Sequence, residues 1–160
     1  MDNTILKPDW HAALHHTLEI CEKDEQYPAY TVREKLLSFV FTFIQTLQEN
    51  ENLFSSAISS NRLTCMNVVK ADVQQYFEQL IWEGSNTGEI QSRLYLSSYY
   101  KDAVWNMLLS VVNFWQRDQS ILKERTDVYI EKSVHFTVDL LSPNALDSGF
   151  DLIQQFIKWR

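Results

Sequence analysis

Three glycines and three prolines in 160 residues set the strongest limit on what this chain can fold into. Glycine supplies the positive φ of tight turns, and proline presets their first torsion. A sheet-rich chain turns every few residues and needs many of both. A chain this poor in them favours long helices and few connections. One domain is expected at this length. A domain of about 150 residues hides roughly 70% of its unfolded surface, so no staple is required.

The apolar residues recur at helical spacing throughout. In residues 8–24 they are Trp10, Ala13, Leu14, Leu18 and Cys21, with Pro8 placed early in the helix, where its missing N–H costs nothing. A polar stretch then ends in Tyr27-Pro28, which breaks the helix. Thr31-x-x-Glu34 is a capping box opening the clearest helix, with Leu36, Phe39, Val40, Phe43, Ile44 and Leu47 on its stripe. A short helix is expected over 53–58 and a longer one over 66–82, with Val69, Val73, Tyr76, Phe77 and Leu80 inward. Residues 83–88 read as a loop, with Gly84 as C-cap. Another helical stretch is expected over 88–98, bending near Ser97-Ser98, before a strong helix over 99–116. Asp118 or Ser120 caps a helix that reaches Leu141, where Ser142-Pro143 stops it; a last helix begins near Asp147. The architecture predicted is an all-α bundle of seven to eight helices forming one domain over 1–160.

Two helices are too apolar for one buried face. In 99–116, Ala103, Val104, Met107, Leu108, Val111, Val112, Phe114 and Trp115 exceed the ~100° stripe of a surface helix. In 118–141, one stripe is Ile130, Val134, Val138 and Leu141, and a second is Leu122, Tyr129, Phe136 and Leu140. A helical hairpin with a spare apolar face predicts a symmetric dimer assembled as a four-helix bundle. The alternative is that other helices of the same chain cover both faces.

Charge and cysteine content exclude several classes. The formal net charge is −7, with fourteen basic residues scattered among twenty-one acidic ones. Duplex DNA binders neutralise phosphates with clustered Lys and Arg, so this chain is a poor nucleic-acid ligand, and an anionic membrane surface is equally disfavoured. Cys21 and Cys65 form neither a CxxC nor a disulfide framework, and fit reduced thiols in the cytoplasm. The first ten residues lack a signal-peptide run, and the apolar stretch around Phe39–Phe43 is far below the ~20 residues of a membrane span.

No catalytic arrangement is evident: GxSxG, P-loop and GxGxxG patterns are absent. His11, His15 and Glu19 share a helix face, and His at i, i+4 can chelate a metal, but no fourth ligand accompanies them and a solvated face is the simpler reading. Asp127, Glu131, His135 and Asp139 form an i, i+4 ladder, whereas carboxylate-bridged metal bundles use a Glu-x-x-His spacing of three. This ladder reads as a salt-bridged strip or a polar seam at a dimer rim. Neither a metal nor a cofactor is expected. The aromatic residues are numerous enough to line an apolar cavity as well as a core; Phe39, Phe43, Tyr76, Phe77, Tyr99 and Trp105 are the candidate lining.

The chain resembles the C-terminal domain of TetR-family transcriptional regulators, in particular a branch found among Bacteroidetes. The resemblance rests on Tyr30-Thr31-Val32-Arg33-Glu34-Lys35-Leu36-Leu37, on Phe114-Trp115-Gln116-Arg117-Asp118-Gln119-Ser120, and on Thr126-Asp127-Val128-Tyr129-Ile130-Glu131-Lys132-Ser133-Val134. It implies a homodimer through the last two long bundle helices, for which Val111, Trp115, Ile130, Val134, Val138 and Leu141 are the candidate contacts. It also implies a pocket for a small apolar ligand among the helices that hold Thr31, Met66 and Tyr99, and a first helix that moves on binding. The three-helix DNA-reading head of such regulators has no counterpart in these residues, so DNA binding is not assigned to them. Two functional readings follow. One is a ligand-sensing, dimeric, non-enzymatic regulator domain with a closed pocket. The alternative is a lipid- or isoprenoid-binding protein on the same fold, using an apolar last helix with Phe150, Leu152, Phe156 and Trp159.

Overall fold

A computed structural model describes residues 7–91 and 97–143. Within them lie six α-helices: α1 (Trp10–Lys23), α2 (Val32–Gln48), α3 (Glu51–Asn61), α4 (Lys70–Thr87), α5 (Ser97–Arg117) and α6 (Glu124–Leu141), joined by 3-10 segments at Tyr27–Ala29, Arg62–Val69 and Ile121–Lys123. Among the described residues there is no strand.

α2 is the axis of the bundle, in contact with α1, α4 and α6. Its position follows from its sequence. Phe39, Val40, Phe43 and Leu47 are completely buried, and they are the stripe that the periodicity picks out. Its start is fixed locally: the Thr31 hydroxyl accepts the Glu34 N–H at 3.2 Å, and the Glu34 carboxylate accepts the Thr31 N–H at 2.8 Å. α1 packs along α2 through Leu14, Thr17 and Cys21, and Trp10 meets Phe54 of α3 edge-on at 4.8 Å. α6 buries Ile130, Val134, Val138 and Leu141, on its side toward α2 and α5. Arg33, in the first turn of α2, reaches across to α6, with contacts of 2.6 Å to His135 Nδ1 and 2.5 Å to an Asp139 carboxylate oxygen.

Several boundaries differ from expectation. Pro8 precedes the first helix rather than entering it, because Asp9 is the cap, accepting the Ala12 N–H at 2.9 Å. The expected helix over 66–82 starts only at Lys70, after the 3-10 segment, and continues to Thr87. Gly84 therefore lies inside α4 and is not its C-cap; that role falls to Gly88, at φ +82°. Gly84 serves packing instead. A Cβ there would sit 2.9 Å from the Ile90 side chain and 3.0 Å from Val32, so glycine lets the 84–90 turn close against α2. The expected helix over 88–98 does not form at 88–91, where Gly88 reverses the chain; the helix expected from Asp147 lies outside the described residues. These differences account for six helices among the described residues, where seven or eight were predicted for the chain.

The next helix starts at Glu124 with Lys123 as its N-cap residue, not Asp118 or Ser120 as expected, but both of those side chains still serve its first turn. Asp118 accepts the Thr126 N–H at 2.9 Å and the Thr126 hydroxyl at 2.7 Å, and the Ser120 hydroxyl accepts the Arg125 N–H at 3.2 Å. Between them, Leu122 and Lys123 both adopt left-handed backbone, at φ 52° and 60°. Non-glycine residues resist that region, and persist there only when surroundings over-determine them. The Lys123 ammonium is held by the Asp118 carbonyl at 2.7 Å and by Glu51 at 2.8 Å.

Candidate functional site

The α1–α2 connection is the starting point. Tyr27-Pro28 ends helical structure and forms a one-turn 3-10 segment, which places the Tyr27 ring against α4. The Tyr27 and Tyr76 hydroxyls are hydrogen-bonded to each other. Tyr30 packs edge-on against Tyr27, with centroids 5.9 Å apart, and its hydroxyl donates to Asp24 at 2.8 Å. On the far side, Tyr76 tilts against Phe39 of the core at 4.8 Å. The wall is thus continuous with the hydrophobic interior.

Lys35 supplies the site's charge. It occupies a core-facing register of α2, between Val32 and Phe39, and is only 11% exposed. A lysine placed there requires an anion nearby. Glu83 of α4 supplies it at 2.6 Å, and the ammonium also stands 5.7 Å from the Tyr27 ring centroid. Gln79 steadies the second Glu83 oxygen at 3.3 Å. Glu89 accepts the Val32 N–H at 3.0 Å, placing a carboxylate at the positive end of the α2 dipole.

These residues border an open groove of about 1040 Å³ between the end of α1, the start of α2 and the second half of α4. Burial pushes the Tyr27 phenol up to about 12, against the opposing hydrogen bond from Tyr76. Tyr76 is pushed up further, first by burial and then by Tyr27 beside it. Both rings therefore stay neutral and act as hydrogen-bonding groups. Burial also raises the Cys21 thiol at the groove's α1 edge, which keeps it out of the reactive thiolate form.

Of the residues expected to line a pocket, only Tyr76 borders this groove. Phe39, Phe43, Phe77 and Trp105 are buried core side chains. Phe39 stacks on Phe43 with centroids 6.0 Å apart and meets Phe77 edge-on at 5.4 Å. The enclosed apolar gap that touches Phe77 measures only about 10 Å³. Tyr99 is 68% exposed at the start of α5. Tyr27, Lys35 and Glu83 were not singled out from the sequence, although Lys35 carried a usable signal: a charged residue within the apolar stripe of α2.

The six residues expected at a dimer interface face inward. Val111, Trp115, Ile130 and Val134 are fully buried within the single chain, with Val138 and Leu141 nearly so. α2 and α5 already cover that stripe of α6. The other stripe is the outward one: Leu122, Phe136 and Leu140 are exposed, Phe136 at 64%, and Val128 is exposed as well. Beside it, Tyr129 stacks on Phe114 of α5 with centroids 4.3 Å apart, and its hydroxyl lies 2.6 Å from Ser110.

The polar ladders are ordinary surface pairs. His11 pairs with Asp72 at 3.3 Å and His15 with Glu19 at 3.6 Å, while His135 and Asp139 are engaged by Arg33. Among the described residues no three His, Cys, Asp or Glu side chains converge as a metal would need. Nor is any described helix long and apolar enough to cross a membrane.

A family model for the tetracyclin repressor-like C-terminal domain matches residues 35–156. The chain belongs to this TetR C-terminal family. No curated protein and no solved structure matches it. In this TetR C-terminal domain, the matched span begins at the buried Lys35 and takes in the whole of the helical hairpin α5–α6.

Proposed function

We propose that the domain is the effector-binding and dimerisation module of a transcriptional regulator, with no catalytic activity of its own and a place in the cytoplasm. The effector site is the groove between α1, α2 and α4. The observation that carries this reading is that one wall of the groove belongs to the end of α1, through Leu18, Cys21 and Glu22. α1 is the first of the described helices, and a ligand wedged against it would select one of its positions over another. A ligand shifts such an equilibrium only by its differential affinity for the two positions. The groove is open to solvent, not closed as the sequence led us to expect, and its polar rim allows an amphipathic ligand. Recognition of DNA would require a separate head, because the net charge of −7 opposes contact with phosphates.

The homodimer forms through the outward stripe of α6, with Phe136 at its centre, and the adjoining face of α5. Two such hairpins related by a two-fold axis make a four-helix bundle. Apolar side chains left at this exposure on one helix face are what such a partner covers. The lipid-carrier alternative depends on the last helix, which lies outside the described residues, and no described feature favours it.

Native mass spectrometry of the intact chain tests both parts. The expected result is the mass of two chains, reduced to one by Phe136→Glu with helix content unchanged in circular dichroism. A wild-type monomer would refute the interface. A bound passenger retained by the wild type and lost in Tyr27→Ala places it in the groove; a passenger indifferent to that substitution removes the groove from consideration.

A further inference from the structure

Resting on the effector-site reading above, we infer that the groove takes an amphipathic organic cation, an amine or quaternary ammonium carried on an aromatic or bulky apolar body. Four carboxylates border the groove, Glu22, Asp72, Glu83 and Glu89, against one ammonium, Lys35. That ammonium is already neutralised by Glu83 at 2.6 Å. An anionic ligand would have to pull Lys35 from its partner and then lie among the remaining carboxylates. Like-charge contact of that kind opposes binding, whereas a cation meets a site whose negative charge is in excess. Glu22 has no ion-pair partner among the described residues and stands at the rim, where a ligand charge would arrive first.

The rings point the same way. Trp82 borders the groove and is 67% exposed, an unusual state for the largest apolar side chain. No other aromatic ring stacks on it among the described residues. Across the groove stand Tyr27 and Tyr30. Faces of Trp and Tyr carry negative quadrupoles, and a cation without N–H groups loses little hydration on reaching them. Lys35 already makes this contact with the Tyr27 ring. The apolar body of the ligand is accommodated by Leu18, Val32 and Leu80 deeper in the groove. A bare metal ion is not the occupant, because the carboxylates are spread along the walls and not convergent.

The test uses the full chain and three probes of one shape: naphthylmethyl-trimethylammonium, its uncharged tert-butyl isostere neopentylnaphthalene, and the anion naphthylacetate. Binding is measured by titration calorimetry at low and high salt. The expected result is that the cation binds at least about tenfold tighter than either analogue, and more weakly as salt rises. Glu22→Gln and Trp82→Ala, both at exposed positions that the fold does not need, should each weaken the cation about three- to tenfold. Equal or tighter binding of the neutral or anionic probe, lost in Tyr27→Ala, overturns the cation and leaves the groove as effector site. Absence of binding by all three probes overturns the cation, while the passenger and dimer measurements judge the effector reading separately. Cation binding unchanged in both Glu22→Gln and Trp82→Ala also overturns it, by placing the probe elsewhere.

Discussion

Removing the Glu83 carboxylate isolates a lysine in the wall of the groove. Lys35 is 11% exposed and Glu83 28% exposed, with the charges 2.6 Å apart. Exposed pairs contribute about 0–1 kcal/mol, whereas breaking a fully buried pair costs about 3–5 kcal/mol. This pair lies between those limits, and solvent reaches Glu83 more easily than Lys35. Glu83→Gln, which strands the less accessible partner, is expected to cost about 2 kcal/mol. Lys35→Met leaves a carboxylate that water and Gln79 can still serve, so about 1 kcal/mol is expected. The double variant Lys35→Met/Glu83→Gln leaves neither charge behind and should lose no more than about 1 kcal/mol, giving a coupling of about 2 kcal/mol or more. For a chain of this size, 1 kcal/mol corresponds to about 2–4 °C in Tm, so Glu83→Gln should melt about 4–8 °C lower and the double variant should recover much of that. The assay is urea unfolding followed by far-ultraviolet circular dichroism, at one fixed chain concentration because self-association adds to apparent stability. Strict additivity of the two single losses would refute the argument, since it would mean that the charges do not interact.

Three further outcomes follow from the same structure. Asp118 is buried, which alone would raise its pKa, but hydrogen bonds from Ser120 and Thr126 outweigh this and hold it well below the ordinary carboxylate range. Its contribution is present above the unfolded pKa and lost as pH falls through the folded one, so Asp118→Ala should flatten the acid-unfolding curve below about pH 4, as measured by circular dichroism. Tyr27 and Tyr76 are raised in the folded state, so their contribution is complete below about pH 10 and is lost as pH rises through the Tyr27 value near 12; ultraviolet titration should show late phenolates, and Tyr76→Phe should show one fewer. Gly84→Ala gains about 1 kcal/mol of helix propensity but drives a Cβ against Ile90 at 2.9 Å, so a net loss of about 1 kcal/mol is expected in urea unfolding. A stabilised Gly84→Ala protein would contradict the close approach.

What the sequence revealed was what short-range patterns encode. The α2 stripe and its capping box depend on residues three and four apart, and both are found as read. The doubled stripes of α6 were likewise visible, because periodicity reports how many faces are apolar. It does not report what covers each face. That is why Ile130 and Val134 were assigned to a partner although α2 and α5 lie over them. Gly84 shows the same limit: a glycine near a helix end reads locally as a cap, whereas its reason here is contact with Val32, fifty-two positions earlier. The groove was the least legible feature, since it exists only where Tyr27 meets Tyr76, 49 residues apart. The aromatic content was noted, but whether a ring lines a cavity or fills a core is decided by tertiary neighbours. Lys35 alone carried a local signal, a charge in an apolar register, and that signal was not read.

The first turn of α2 touches three places with neighbouring residues. Val32 donates its N–H to Glu89 beyond the α4 exit and abuts Gly84, Lys35 enters the groove, and Arg33 grips His135 and Asp139 on α6. His135 and Asp139 flank Phe136, the centre of the outward stripe. A helix turn is too stiff to move one of these residues without the others. On the proposed reading, filling the groove and changing the grip on α6 would be motions of a single lever, with its fulcrum at Val32 and Lys35 and Arg33 as its arms. Cutting the Arg33 arm would leave each end able to work and deprive it of news from the other.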